Sequence, residues 1–170
     1  MYDILILVSS QSYLNMRLSI LSTTLFTLGL FISSISALAN PLNGTISKVV
    51  DGDTVTVTSN GSSSTLQLAC IDAPDWVNGK PQPNAQLSKN RLTQLLPVGS
   101  SIQYYPVGTI RENRVLAVIF NGNSNINLQM IAEGQAQLHS NYQTQCPNSA
   151  NELATAQSNA QNSRLGIWNH

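Results

Sequence analysis

Val50-Asp51-Gly52-Asp53-Thr54-Val55-Thr56-Val57-Thr58 is the stretch on which the fold turns. From Thr54 to Thr58 β-branched residues alternate strictly, which predicts a strand with one buried face. The segment before it, Leu42 to Val50, carries Ile46, Val49 and Val50 and reads as a strand too. Asp51 and Asp53 lie two apart, so extended backbone sets them on one side, and Gly52 lets the chain bend between them. Downstream, Asn60-Gly61 is a hairpin signal. Thr65 to Ile71 then alternates again and runs into Ile71-Asp72-Ala73-Pro74-Asp75, where proline stops the ladder. The three strands predict a meander with four aspartates at its ends.

Trp76 to Pro83 reads as a loop rich in Pro, Gly and Asn. A helix is expected over Asn84 to Leu96, where Leu87, Leu92, Leu95 and Leu96 recur at helical spacing, and Pro97-Val98-Gly99 ends it. Ser101 to Val107 and Arg114 to Phe120 read as two more strands, joined by a loop from Gly108 to Asn113. Asn127 is expected to cap a short helix closed by Gly134. Gln135 to Tyr142 reads as extended. Ser149-Ala150-Asn151-Glu152 matches a capping box that opens the last helix, and Trp168 is expected to dock on the core. Five short strands with about three packed helices predict an α+β fold, a five-stranded OB-type β-barrel. Such a barrel is a platform whose function comes from a site built on it.

The chain has 170 residues, room for one domain, with zero formal net charge and 9% charged residues. Composition therefore supplies no basic footprint for a polyanion. Met16-Arg17 opens a basic start, Leu18 to Ile35 is uncharged and apolar, and Ala37-Leu38-Ala39 offers small residues for cleavage. This predicts a secretory signal over residues 1–39, cut after Ala39, with Met16 as the expected true start and residues 40–170 as the mature domain. An uncleaved anchor is the alternative reading of the same run. Cys70 and Cys146 stand 76 positions apart. In an exported chain an even pair predicts a disulfide, about 4–5 kcal/mol in the chain-entropy model. A cysteine nucleophile is the alternative, but the only histidines, His139 and His170, show no recognisable base for it.

Four aspartates on two linked strand ends suit a hard divalent cation, which takes carboxylate, carbonyl and water oxygens. The bland alternative is a pair of turn-stabilising aspartates. Residues Val50 to Val55 together with Leu66 to Asp75 resemble the staphylococcal nuclease family. Arg111 to Phe120, Asn127 to Ala136 and Leu165 to Trp168 resemble further family segments in the same order, so the similarity spans Leu42 to Trp168.

The resemblance implies a secreted, extracellular or periplasmic nuclease that hydrolyses phosphodiester bonds of DNA or RNA with one Ca²⁺. It implies nucleic acid as substrate, no stable protein partner and no membrane association once the signal is removed. Asp53, Asp72 and the backbone carbonyl of Ala73 would hold the ion, with Asp51 bracing them. Asp75 stands where the family has a Glu that orders the attacking water, and Arg114 matches the arginine on the scissile phosphate. Gln67 stands where the family has a second phosphate-binding arginine, Arg111 is a candidate substitute for it, and Glu112 replaces a tyrosine. Tyr142 matches one of two base-stacking tyrosines; Ser140 stands at the other position. These departures leave the alternative of a weakened or non-catalytic module that binds metal, nucleic acid or a partner protein.

Overall fold

A computed structural model describes residues 40–111 and 114–169. The expected signal over residues 1–39, the Met16 start and Glu112 lie outside the described residues. The chain runs β1 (Leu42–Val49), β2 (Thr54–Ser59), β3 (Ser62–Leu68), a short β4 (Ile71–Asp72), and the ribbon of β5 (Trp76–Val77) and β6 (Lys80–Pro81). Then follow α1 (Ala85–Leu95), β7 (Ser101–Arg111), β8 (Arg114–Asn121), β9 (Ser124–Asn125) and α2 (Ile126–Ala132). Last come β10 (Gln137–Leu138), α3 (Tyr142–Gln145), α4 (Ala150–Asn162) and a 3₁₀ turn at Gly166–Trp168.

The five long strands are hydrogen-bonded in the order β3-β2-β1-β7-β8, all antiparallel neighbours. The sheet then closes on itself through a parallel seam, with Thr65, Leu66, Gln67 and Leu68 of β3 opposite Arg114, Val115, Leu116 and Ala117 of β8. The expected OB-type barrel is therefore formed, with no free edge among these five strands. Alternation in β2 turns Val55 and Val57 inward against Leu66, Leu68 and Ile119, all fully buried. At the β2–β3 hairpin Asn60 and Gly61 take φ of 50° and 77°, the left-handed pair that a two-residue turn requires.

Several local expectations change. The loop expected over Trp76 to Pro83 contains a two-stranded ribbon, Trp76 opposite Pro81 and Val77 opposite Lys80. β7 extends through Pro106 to Arg111 because register shifts on either side of Gly108 absorb the proline in an otherwise continuous ladder. Only Gln137 and Leu138 are strand in the region expected to be extended, and α3 follows. Ser149 precedes α4, but its side chain makes no cap hydrogen bond. Trp168 is half-buried, not part of the fully enclosed core. The Ile167 N–H beside it donates to the Gly134 carbonyl at 2.8 Å. A Cβ on Gly166 would lie 2.0 Å from that same carbonyl oxygen, so the C-terminal turn needs glycine there.

Asn127 is the largest correction. Asn125, not Asn127, caps α2, accepting from the Leu128 N–H at 3.1 Å. Asn127 is 2% exposed and serves the barrel. Its Oδ1 accepts from the Ile119 N–H at 2.9 Å, and its Nδ2 donates to the carbonyls of Ala69 at 2.9 Å and Ala117 at 3.1 Å. Ala117 belongs to the last seam pair and Ala69 and Ile119 lie just past it, so one amide links the two strands where the parallel ladder runs out.

Candidate functional site

The β1–β2 turn is built around its two acids. The Val50 N–H donates to the Thr54 carbonyl at 2.8 Å, and the Asp53 N–H donates to Asp51 Oδ1 at 3.0 Å. Asp53 Oδ1 accepts from the Thr54 hydroxyl at 2.7 Å, and Oδ2 accepts from the Ala73 N–H at 3.4 Å. The two acidic motifs thus meet, Asp53 against residue 73. Glycine at 52 makes the approach possible, since a Cβ there would stand 2.8 Å from the Cβ atoms of both Ala73 and Ser88. Both turn acids are nearly enclosed, Asp51 9% and Asp53 7% exposed. Burial, and then the charge of Asp51, push the Asp53 carboxyl up to about 7.

Asp72 and Asp75 are exposed. β4 pairs with β10, which sets Asp72 opposite Gln137, and Gln137 Nε2 donates to Asp72 Oδ2 at 3.2 Å. Asp75 sits at the foot of the ribbon. Its N–H donates to Gln82 Oε1 at 2.8 Å, its carbonyl accepts from the Gln82 N–H at 2.9 Å, and its Oδ1 accepts from the Trp76 N–H at 2.5 Å. Among the described residues no three His, Cys, Asp or Glu side chains are close enough to share one ion. A hard cation here would draw on the Asp53 and Asp51 turn, the neighbouring strand end and water. The donor set is all oxygen, and among the described residues no cationic side chain forms an ion pair with the buried Asp51 and Asp53 carboxyls, so the residues present fit such an ion.

Arg114 and Gln67 meet on the parallel seam. Arg114 Nη2 donates to Gln67 Oε1 at 3.0 Å, while Arg114 Nε is buried without a partner among the described residues. Gln67 in turn pairs with Thr54, the neighbour of Asp53, in the β2–β3 ladder. The seam therefore places the guanidinium one strand away from the acidic turn. Arg111 lies opposite Arg114 at the end of β7, but its side chain is outside what is described.

Cys70 and Cys146 are disulfide-bonded, with Cα atoms 6.2 Å apart, so neither is a nucleophile. The Cys70 N–H donates to Gln145 Oε1 at 2.8 Å, and its carbonyl accepts from the His139 N–H at 2.9 Å. The bridge thereby ties α3, which begins with Tyr142, to the strand end that carries Asp72. Tyr142 is half-buried and packs against the core.

Sequence reasoning missed Gln82, Gln137 and Ser88. Ser88 of α1 is fully buried and donates to the Gln135 carbonyl at 2.6 Å, fixing the helix behind Gly52. Gln82 acts on Asp75 across the short β5–β6 ribbon, whereas Ser88 and Gln137 act on residues distant in sequence.

The fold and this site define a class: a single closed OB-type barrel with an acidic turn at one strand end and an arginine on its parallel seam. A family model described as staphylococcal nuclease homologue matches residues 65–170, and the chain belongs to that family. The Asp51-Gly52-Asp53 turn precedes the matched range. A protein described as an uncharacterised endonuclease of Haemophilus influenzae is 35% identical over 123 residues, 71% of this chain and 63% of its own length. The SPbeta prophage-derived endonuclease YokF of Bacillus subtilis strain 168 is 27% identical over 130 residues, 73% of this chain and 43% of its own. An uncharacterised endonuclease of Escherichia coli is 27% identical over 140 residues, 82% of this chain and 85% of its own. The chain thus spans less than two thirds of the first two relatives.

Proposed function

We propose that the chain is a nuclease that hydrolyses phosphodiester bonds of DNA or RNA with the help of one Ca²⁺. The observation that carries this reading is the packing of the Asp51-Gly52-Asp53 turn against Ala73, with Asp53 Oδ2 3.4 Å from the Ala73 N–H. Asp53, Asp72 and the Ala73 carbonyl would hold the ion, and Asp51 would brace Asp53 through its backbone. A bound hard cation supplies charge neutralisation at the non-bridging phosphate oxygens. Asp75, held at both its N–H and its carbonyl by Gln82, orients the attacking water. Arg114 faces the phosphate with its remaining donors and stabilises charge developing at phosphorus. The names of the relatives support a nucleic-acid substrate, and the Cys70–Cys146 bridge supports an oxidising compartment, in keeping with export by residues 1–39.

Purified protein is expected to cleave oligonucleotides in low salt with Ca²⁺, to stop on chelation, and to lose cleavage in Asp53→Ala. Absence of cleavage by concentrated protein under every one of these conditions removes the reading.

A second reading has an observation of its own. Gln67 brings no charge and occupies part of the Arg114 donor fork, which favours a module that binds without turning over. Gln67→Arg combined with Asp75→Glu separates the two. A rise in cleavage from a low but metal-dependent level supports the enzyme, and continued silence supports the binding module.

A further inference from the structure

We infer that the cavity beside Asp72 is a subsite for one nucleobase. This rests on the nuclease reading above and extends it to a base position separate from Tyr142, the residue matched to base stacking by family resemblance. The cavity holds about 270 Å³. That lies just under the roughly 300 Å³ at which drug-sized ligands begin to fit, so it takes one ring system and not an oligomer. Its walls include Pro74, Pro83 and Ile167, apolar surfaces suited to the faces of a flat ring. Its polar groups are the amides of Gln82 and Gln137 and the carboxylate of Asp72.

Both amides keep hydrogen-bonding capacity beyond the bonds they already make. Gln82 Oε1 is taken by the Asp75 N–H, so its NH₂ remains as a donor. Gln137 gives one N–H to Asp72 Oδ2, so its Oε1 remains as an acceptor. One free donor and one free acceptor match the edge of a base, where a ring or exocyclic N–H neighbours a ring nitrogen or carbonyl. A phosphate is the wrong occupant, because among the described residues the only charged lining group is the Asp72 carboxylate. Asp72 and Ala73 belong both to this lining and to the proposed ion site, so the base held here would flank the scissile phosphate. Gln82 would then have two tasks: it reads the base with its NH₂ and positions Asp75 with its Oε1.

The test uses free nucleosides, which contain no phosphodiester bond. Adenosine, cytidine and thymidine are titrated into nitrogen-labelled full chain with its disulfide intact. Saturable shifts of the Gln82 and Gln137 side-chain amides are expected, and Ile167→Phe, which fills the cavity, should weaken binding about tenfold or more. Should Ile167→Phe not fold, Gln82→Met removes the donor and is expected to weaken binding as well. The inference is overturned if neither amide moves, if the shifts centre on Tyr142 instead, or if the folded variants bind like the parent. Cleavage without nucleoside binding overturns the subsite alone, and nucleoside binding without cleavage overturns the nuclease reading alone.

Discussion

The acidic turn and the seam arginine lie one strand apart and are built to different standards. Asp53 is held through both carboxylate oxygens, its own N–H and its own carbonyl. Among the described residues Arg114 has one side-chain hydrogen-bond partner, Gln67, and its buried Nε has none. Metal-holding groups must be fixed in place before an ion arrives, whereas a phosphate-binding guanidinium can gain its order from the ligand itself. On the proposed nuclease reading, the less tightly held half of the site is the one that would bind phosphate.

Removing the guanidinium should have the largest effect. On the proposed nuclease reading, Arg114→Ala is expected to lower kcat by about 10²–10³-fold while leaving Ca²⁺ affinity unchanged, since there the arginine would touch substrate and not the ion. Equal losses in both would show that the two regions are not independent. Gly52→Ala attacks the other side. Its new Cβ would crowd Ala73 and Ser88, at an expected cost of about 1–3 kcal/mol in denaturant unfolding, and should raise the Ca²⁺ concentration required for activity. The most gradual effect is a pH slope of metal-free protein. The folded pKa of Asp53, about 7, lies above its unfolded value of 3.8, so between these values the folded state keeps a proton that the unfolded state has lost. Stability should therefore fall as pH rises from about 4 to about 7, by at most about 1.4 kcal/mol per pH unit. Saturating Ca²⁺ or Asp53→Asn should flatten the slope, which urea titrations across that range would measure.

The barrel was legible because its strands declare themselves locally. The Thr-Val-Thr-Val-Thr alternation, the Asn60-Gly61 turn and the leucine spacing of α1 all keep their meaning in the fold. The parallel seam was not, since nothing near Thr65 states that Arg114 will lie beside it. Asn127 was misread for the same reason. A capping asparagine and one that links two strands where their ladder stops look identical in sequence, and burial by distant segments decides between them. The Ser149 box failed differently: a pattern of permissive residues was present, but Ser149 does not turn its hydroxyl to the backbone. Within the site, Asp53 beside residue 73 was foreseen from the two motifs. Gln82 and Gln137 were not, because an amide acquires a task only once folding has set a partner in front of it.

The bridge between Cys70 and Cys146 spans most of the barrel's second half, including both strands that complete its wall. A protease that cuts the backbone once anywhere between those two positions yields two polypeptides but still one molecule. The pieces part only when a reductant is added, so a nicked protein would run as intact on a non-reducing gel and as two bands on a reducing one.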